Sequence, residues 1–147
     1  MRVSSVVKQI SVFLENKKGR LADVTEALGR KGVNIRALSI ADTADYGILR
    51  LIVNDPDLAY RVLSEAEFTV SIREVLAIGI EDRPGSLASA LRVLEENGIV
   101  VEYMYAFYGK AGDKPLVILK LSDSEGGVRV LKEAGILVID SAKIYSL

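Results

Sequence analysis

Cysteine, histidine and tryptophan are all missing from the 147 residues. Without Cys there is no disulfide framework, no thiolate nucleophile and no Cys-ligated zinc. Without His the chain lacks the side chain that titrates near neutral pH and supplies most general bases. No apolar run approaches the roughly 20 residues of a membrane span. Lys8, Gln9 and Ser11 interrupt the stretch from Met1 to Leu14, so no signal-peptide core is read there and a cytoplasmic protein is expected. An excess of one charge is also lacking: 19 basic residues stand against 20 acidic ones, which favours neither nucleic acid nor an anionic membrane. What remains is a globular mixture, 50% hydrophobic and 27% charged.

The chain repeats itself. Glu15-Asn16-Lys17-Lys18-Gly19-Arg20-Leu21-Ala22 runs in step with Glu81-Asp82-Arg83-Pro84-Gly85-Ser86-Leu87-Ala88, 66 residues later (Glu15 to Glu81). In the same register Leu28 meets Leu94, Gly32 meets Gly98 and Val33 meets Ile99. Arg61-Val62-Leu63-Ser64-Glu65-Ala66 then matches Arg129-Val130-Leu131-Lys132-Glu133-Ala134 at five of six positions, at an offset of 68. The change of offset puts a two-residue insertion in the loop from Gly109 to Lys114. A fixed register with one loop insertion indicates duplication. The copies are expected to be 1–73 and 74–147, and no Gly/Pro-rich linker separates them near Arg73.

Both copies parse alike. Ile10, Val12 and Leu14 alternate with polar or outward positions, as do Leu76, Ile78 and Ile80, which predicts strands with one face on a core. Helical stripes follow: Leu21, Val24 and Leu28 in one copy, Leu87, Leu91 and Leu94 in the other. Gly32 and Gly98 stand where a helix needs a residue of positive φ after its end. Second strands are predicted over Asn34–Asp42 and Val100–Tyr108, with turns at 44–47 and 110–113, and third strands over Ile48–Val53 and Leu116–Leu121. Asp55, followed by Pro56, and Asp123 are placed to cap further helices. Final strands begin near Phe68 and Ile136. The fold class is therefore α+β: a ferredoxin-like βαββαβ unit in two tandem copies, with antiparallel sheets and helices on one face.

The duplicated loop lies between a strand and a helix N-terminus. Gly19 and Gly85 allow a sharp turn and the close approach of a ligand. The amides of Arg20 and Leu21, or of Ser86 and Leu87, belong to the helix donors without intrahelical partners and suit a carboxylate. Asn16 or Asp82 can meet the other end of a zwitterion. The plainer alternative is that the glycines serve only the turn and that Asn16 and Asp82 only cap the helices.

These residues, with Asn97-Gly98-Ile99 and Gly32-Val33-Asn34-Ile35, resemble the ACT domain, an amino-acid-binding regulatory module. The resemblance covers both copies and so nearly the whole chain. It implies a ligand held in the first strand–helix loop at an interface between paired modules, contacted by Asn16, Gly19, Arg20, Leu21, Asn34 and Ile35, and by Asp82, Pro84, Gly85, Ser86 and Leu87. In the family an Asn at the start of the second strand often reaches a ligand of the neighbouring module. That role would fall to Asn34, and Val100 cannot repeat it. The resemblance further implies a non-catalytic sensor acting on amino-acid metabolism, with a homodimer, a metabolic enzyme or a regulator as partner, and with no cofactor or metal.

Two other readings stand beside it. A small acyl phosphatase-like hydrolase would use an Arg in the first loop, but Arg20 is not duplicated: Ser86 takes its place. A purely structural oligomerisation module would carry a vestigial site. Tyr103, Tyr105 and Phe107 share one strand face and could stack RNA bases, yet with balanced charge and no basic patch they are expected to fill a packed face or a module interface. Glu95 and Glu96 are adjacent on a helix, point apart and form no acid/base pair.

Overall fold

A computed structural model of the chain describes residues 4–15, 17–42, 45–111 and 114–146. Two compact units divide it: Lys8–Arg73 is one, and Glu74–Leu147 together with the segment up to Val7 is the other.

In the first unit, β1 (Val7–Glu15) leads to α1 (Arg20–Arg30), then β2 (Ile35–Asp42), β3 (Tyr46–Val53), α2 (Pro56–Glu65) and the start of β4 (Thr69–Gly79). The strand order is β2-β3-β1-β4. β1 and β3 are antiparallel, with Ile10 opposite Leu51 and Val12 opposite Leu49, as the alternation predicts. The inward residues of β1 and β3 meet Val24 and Leu28 of α1 and Ala59 and Leu63 of α2 in one buried cluster. Each such aliphatic side chain taken fully out of water contributes about 1.5–3 kcal/mol.

The second unit repeats this plan. The end of β4 precedes α3 (Ser86–Glu96), β5 (Val101–Ala111), β6 (Lys114–Leu121), α4 (Ser124–Glu133) and β7 (Leu137–Val138). β4 is flanked by β6 and β7, both antiparallel to it. Leu76 and Ile78 pack with Ala90 and Leu94 of α3 and with Val130 and Leu131 of α4. β4 serves as the last strand of one unit and the first of the other, which is why no linker composition marks the boundary.

Local signals produce the predicted ends. Asp55 accepts a hydrogen bond from the Leu58 amide at 3.1 Å, and Asp123 accepts one from the Gly126 amide at 2.9 Å. α1 and α3 end with Gly32 (φ +75°) and Gly98 (φ +72°), which let the amides of Val33 and Ile99 donate back to Leu28 and Leu94 at 3.0 Å. The last strand of the second copy differs from expectation. It is only two residues long and gives way to a short helix, α5 (Ser141–Ser146), which buries Ile144. No helix among the described residues is long and apolar enough to cross a membrane.

Candidate functional site

The two duplicated loops have nearly the same backbone. Gly19 and Gly85 are the residues before α1 and α3, with φ +88° in both and ψ −8° and −7°. This left-handed conformation is open to Gly and costs other L-residues. A Cβ built at either position would meet nothing within 4 Å, so the glycines are demanded by torsion and leave clear space in front of them.

Each loop closes on itself. The Lys17 amide donates to the Glu15 carbonyl at 2.8 Å and the Arg20 amide to the Lys17 carbonyl at 3.3 Å. Their counterparts are Arg83 to Glu81 at 2.9 Å and Ser86 to Arg83 at 3.3 Å. Side chains reinforce the closure: Lys17 Nζ lies 2.7 Å from Glu15 Oε2, and Arg83 Nε lies 2.6 Å from Glu81 Oε2. The Lys17 hydrogen bond, followed by its charge, holds the exposed Glu15 carboxyl below its ordinary range.

The next two amides are open. Among the described residues, those of Leu21 and Ala22, and of Leu87 and Ala88, have no acceptor, while Asp23 and Ser89 resume helical bonding to the Gly19 and Gly85 carbonyls at 2.9 and 3.0 Å. The open pair therefore lies one residue further on than the pair read from sequence, because the first helical amide is spent on the loop. With the helix dipole behind them, two adjacent free donors make a carboxylate-sized anion seat in each unit. Among the described residues neither helix receives a side-chain cap, and Asp82 is exposed. Pro84 is exposed beside Gly85 and Leu87 is half-buried. Asn16 lies outside the described residues.

The expected cluster comes together only in part. Gly19, Arg20 and Leu21 share the first loop with a depression of about 140 Å³ lined by Leu14, Glu15, Lys17, Ile40 and Gly47. Asn34 and Ile35 are not there. They stand at the start of β2, at the far end of the 11-residue α1, and so about 16 Å along the helix from Gly19 within their own unit. The Asn34 backbone is pinned instead by Asn54, whose Oδ1 accepts from the Asn34 amide at 2.8 Å. Ile40, at the other end of β2, is what the strand offers to the loop. Its even spacing from Leu38 was the available signal, since both lie opposite inward residues of β3, Leu49 and Leu51.

Arg20 lines this depression too and stacks on an aromatic ring beside it. Its guanidinium carbon sits 4.6 Å from the centroid of the Phe68 ring, and Nη1 lies 3.8 Å from Asp23 Oδ2. The cation that a hydrolase reading requires is thus packed onto the unit's own core. Phe107 is buried and its neighbours Tyr103 and Tyr105 are half-buried, facing β6 at Leu116, Lys120 and Ile118.

A family model described as an ACT domain pair matches residues 5–146. The crystal structure of protein BT0572 from Bacteroides thetaiotaomicron is 42% identical, covers 98% of this chain and 100% of its own, and superposes with a TM-score of 0.91. The ligand-free regulatory subunit of aspartate kinase from Thermus thermophilus shares the fold at 18% identity and a TM-score of 0.61, over 90% of this chain and 99% of that one. The corresponding subunit from Thermus flavus does so at 15% and 0.58, over 91% and 99%. No curated protein matches.

Proposed function

Because this chain belongs to the ACT-domain family, as a pair of ACT modules in one polypeptide, we propose that it is a non-catalytic sensor of a small amino acid, regulating amino-acid metabolism through a partner protein or its own oligomer. The observation that carries this reading is the duplicated seat of two free amides behind a left-handed Gly, at Leu21 and Ala22 and again at Leu87 and Ala88. The carboxylate of the amino acid takes the amides. At the second loop the exposed Asp82 meets the ammonium group. At the first, Leu21 and Ile40 supply an apolar wall for the side chain. Asn34, out of reach of its own loop, serves a ligand held by a neighbouring module. The relation in fold to regulatory subunits of aspartate kinase supports a regulatory role.

The chain acts as a homodimer in this reading. β2 is the outermost strand of the first unit's sheet, and it exposes Leu38 (52%) and Ile40 (43%) beside Leu21 (43%), an apolar edge that a second copy would cover.

Calorimetry with a panel of amino acids tests the site. Gly19→Val places a branched side chain where the ligand backbone approaches and should abolish binding in the first unit only; Gly85→Val should do the converse. If both variants bind as the wild type does, the loops are not the site.

A further inference from the structure

The two copies differ at one place beside the loop. In the first unit Arg20 lies over Phe68, closing the gap between the start of α1 and the turn before β4. The equivalent residues of the second unit are Ser86 (20 plus 66) and Ile136 (68 plus 68). Both are far smaller, and the space they vacate is a cavity of about 300 Å³ between α3 and the turn at 134–137. That volume is at the small end of the range for small-molecule sites.

The lining has two chemistries. Ala90, Val93, Ile136 and Leu137 give an apolar wall. Ser86 Oγ is closed off from solvent and has no hydrogen-bond partner, a condition that folded proteins rarely tolerate without a ligand or water to answer it. Ser89 Oγ, also on the lining, donates to the Gly85 carbonyl at 3.1 Å and keeps its lone pairs free. Arg83 on the lining pairs with Glu81 at 2.6 Å, while Lys114, also on the lining, has no ion-pair partner among the described residues.

From this geometry we infer that the second unit holds a binding site of its own, behind the loop, for a small carboxylate with a short aliphatic body. The carboxylate takes Lys114 and the Ser86 hydroxyl, which a turn about χ1 brings into the cavity, and the aliphatic part lies on Val93, Ile136 and Leu137. An α-amino acid and the matching 2-oxo acid share this chemistry. The inference stands on the cavity and on what fills its counterpart, so it is independent of the loop-amide seat proposed above. It also makes the two units unequal: the first has Arg20 stacked on Phe68 where the second has Ser86 and Ile136.

L-leucine and 4-methyl-2-oxopentanoate, titrated separately into the full chain, serve as probes by calorimetry and by amide chemical shifts. At least one should bind and perturb Ser89, Val93 and residues 135–137; which one binds tells whether the ammonium group is read. Ser86→Arg combined with Ile136→Phe rebuilds the filling found in the first unit and should weaken binding about tenfold or more. Should that double variant fail to fold, Lys114→Ala removes only the lysine cation and should still weaken binding severalfold. Absence of binding by both acids, wild-type affinity in the variants, or perturbations confined to Asp82, Leu87 and Ala88 would each overturn the inference.

Discussion

At the scale of single residues, position in the fold decides more than residue type. Gly19 and Gly85 owe their identity to a φ of +88°, since a Cβ would meet open space at either. Asn34 is the contrasting case. Its amide and carbonyl are held by Asn54, whose own amide donates to the Asn34 carbonyl at 3.1 Å, while its side chain is exposed at the strand's start. Removing that side chain leaves these backbone bonds intact. Asn34→Ala should therefore keep the melting temperature of the wild type. A lost hydrogen bond to a charged ligand group, about 1.5–3 kcal/mol, should weaken amino-acid binding roughly ten- to a hundredfold. Equal affinities by calorimetry would remove Asn34 from the site.

Among the elements, all four long helices end in one way. The residue after each cap has positive φ, and the following amide donates back over the last turn: Val33 to Leu28, Phe68 to Leu63, Ile99 to Leu94 and Ile136 to Leu131, each at 3.0 Å. Three of the turning residues are Gly, but α2 uses Glu67 at φ +68°. The left-handed conformation costs a non-Gly residue about 1–2 kcal/mol, partly offset by the chain entropy that Gly would lose, about 0.5–1 kcal/mol. Glu67→Gly should stabilise the protein by up to about 1 kcal/mol, a rise of roughly 2–4 °C on thermal denaturation; no rise would mean that the turn is relaxed as it stands. Such ends were legible in the sequence because their causes are local: a Gly after a stripe, an Asp before a Pro, an alternation of Ile, Val and Leu. α5 was not legible, since its six residues are too few for periodicity and only Ile144 is anchored. The left-handed loop backbone was legible from its glycines, but the distance of Asn34 from its own loop was not, because it depends on the path of the chain, which runs α1 away from the loop before β2 begins. The cavity at Ser86 lay hidden in the repeat itself. It needed the pairing of Arg20 with Phe68, two residues far apart in sequence, before the smaller pair at Ser86 and Ile136 acquired meaning.

On the scale of the whole molecule, the β2 edge is the exposed resource. Replacing Leu38 and Ile40 by Lys places two charges on a surface that the proposed dimer would dry, at little cost to a monomer in which both are already exposed. Light scattering should give a dimer for the wild type and a monomer for this variant; a wild-type monomer at micromolar concentration, with and without amino acid, would reject the edge as an interface.

The grouping of the first residues with the second unit has a consequence for folding. The Ser141 amide donates to the Ser4 carbonyl at 2.7 Å, and Lys132 Nζ donates to Ser5 Oγ at 3.0 Å, so the chain starts in the second unit, leaves it at Lys8 and returns at Glu74. The first unit is an excursion of 66 residues (8 to 73) spliced into the second. While that excursion is unfolded, joining the N-terminal segment to the rest of the second unit means closing a loop of this length, at a chain-entropy cost of about 4 kcal/mol. Once it is folded its two ends lie on neighbouring strands, β1 and β4, and the cost is gone. Folding of the first unit thus favours docking of the N-terminal segment by up to this amount, and by linkage the docked segment favours the folded first unit equally. Scanning calorimetry should show one endotherm for the whole chain, and two resolved transitions would refute this coupling. Duplication alone would have left the copies joined end to end; here the residues just before the first copy belong to the second, so neither segment of the second unit is complete without the other.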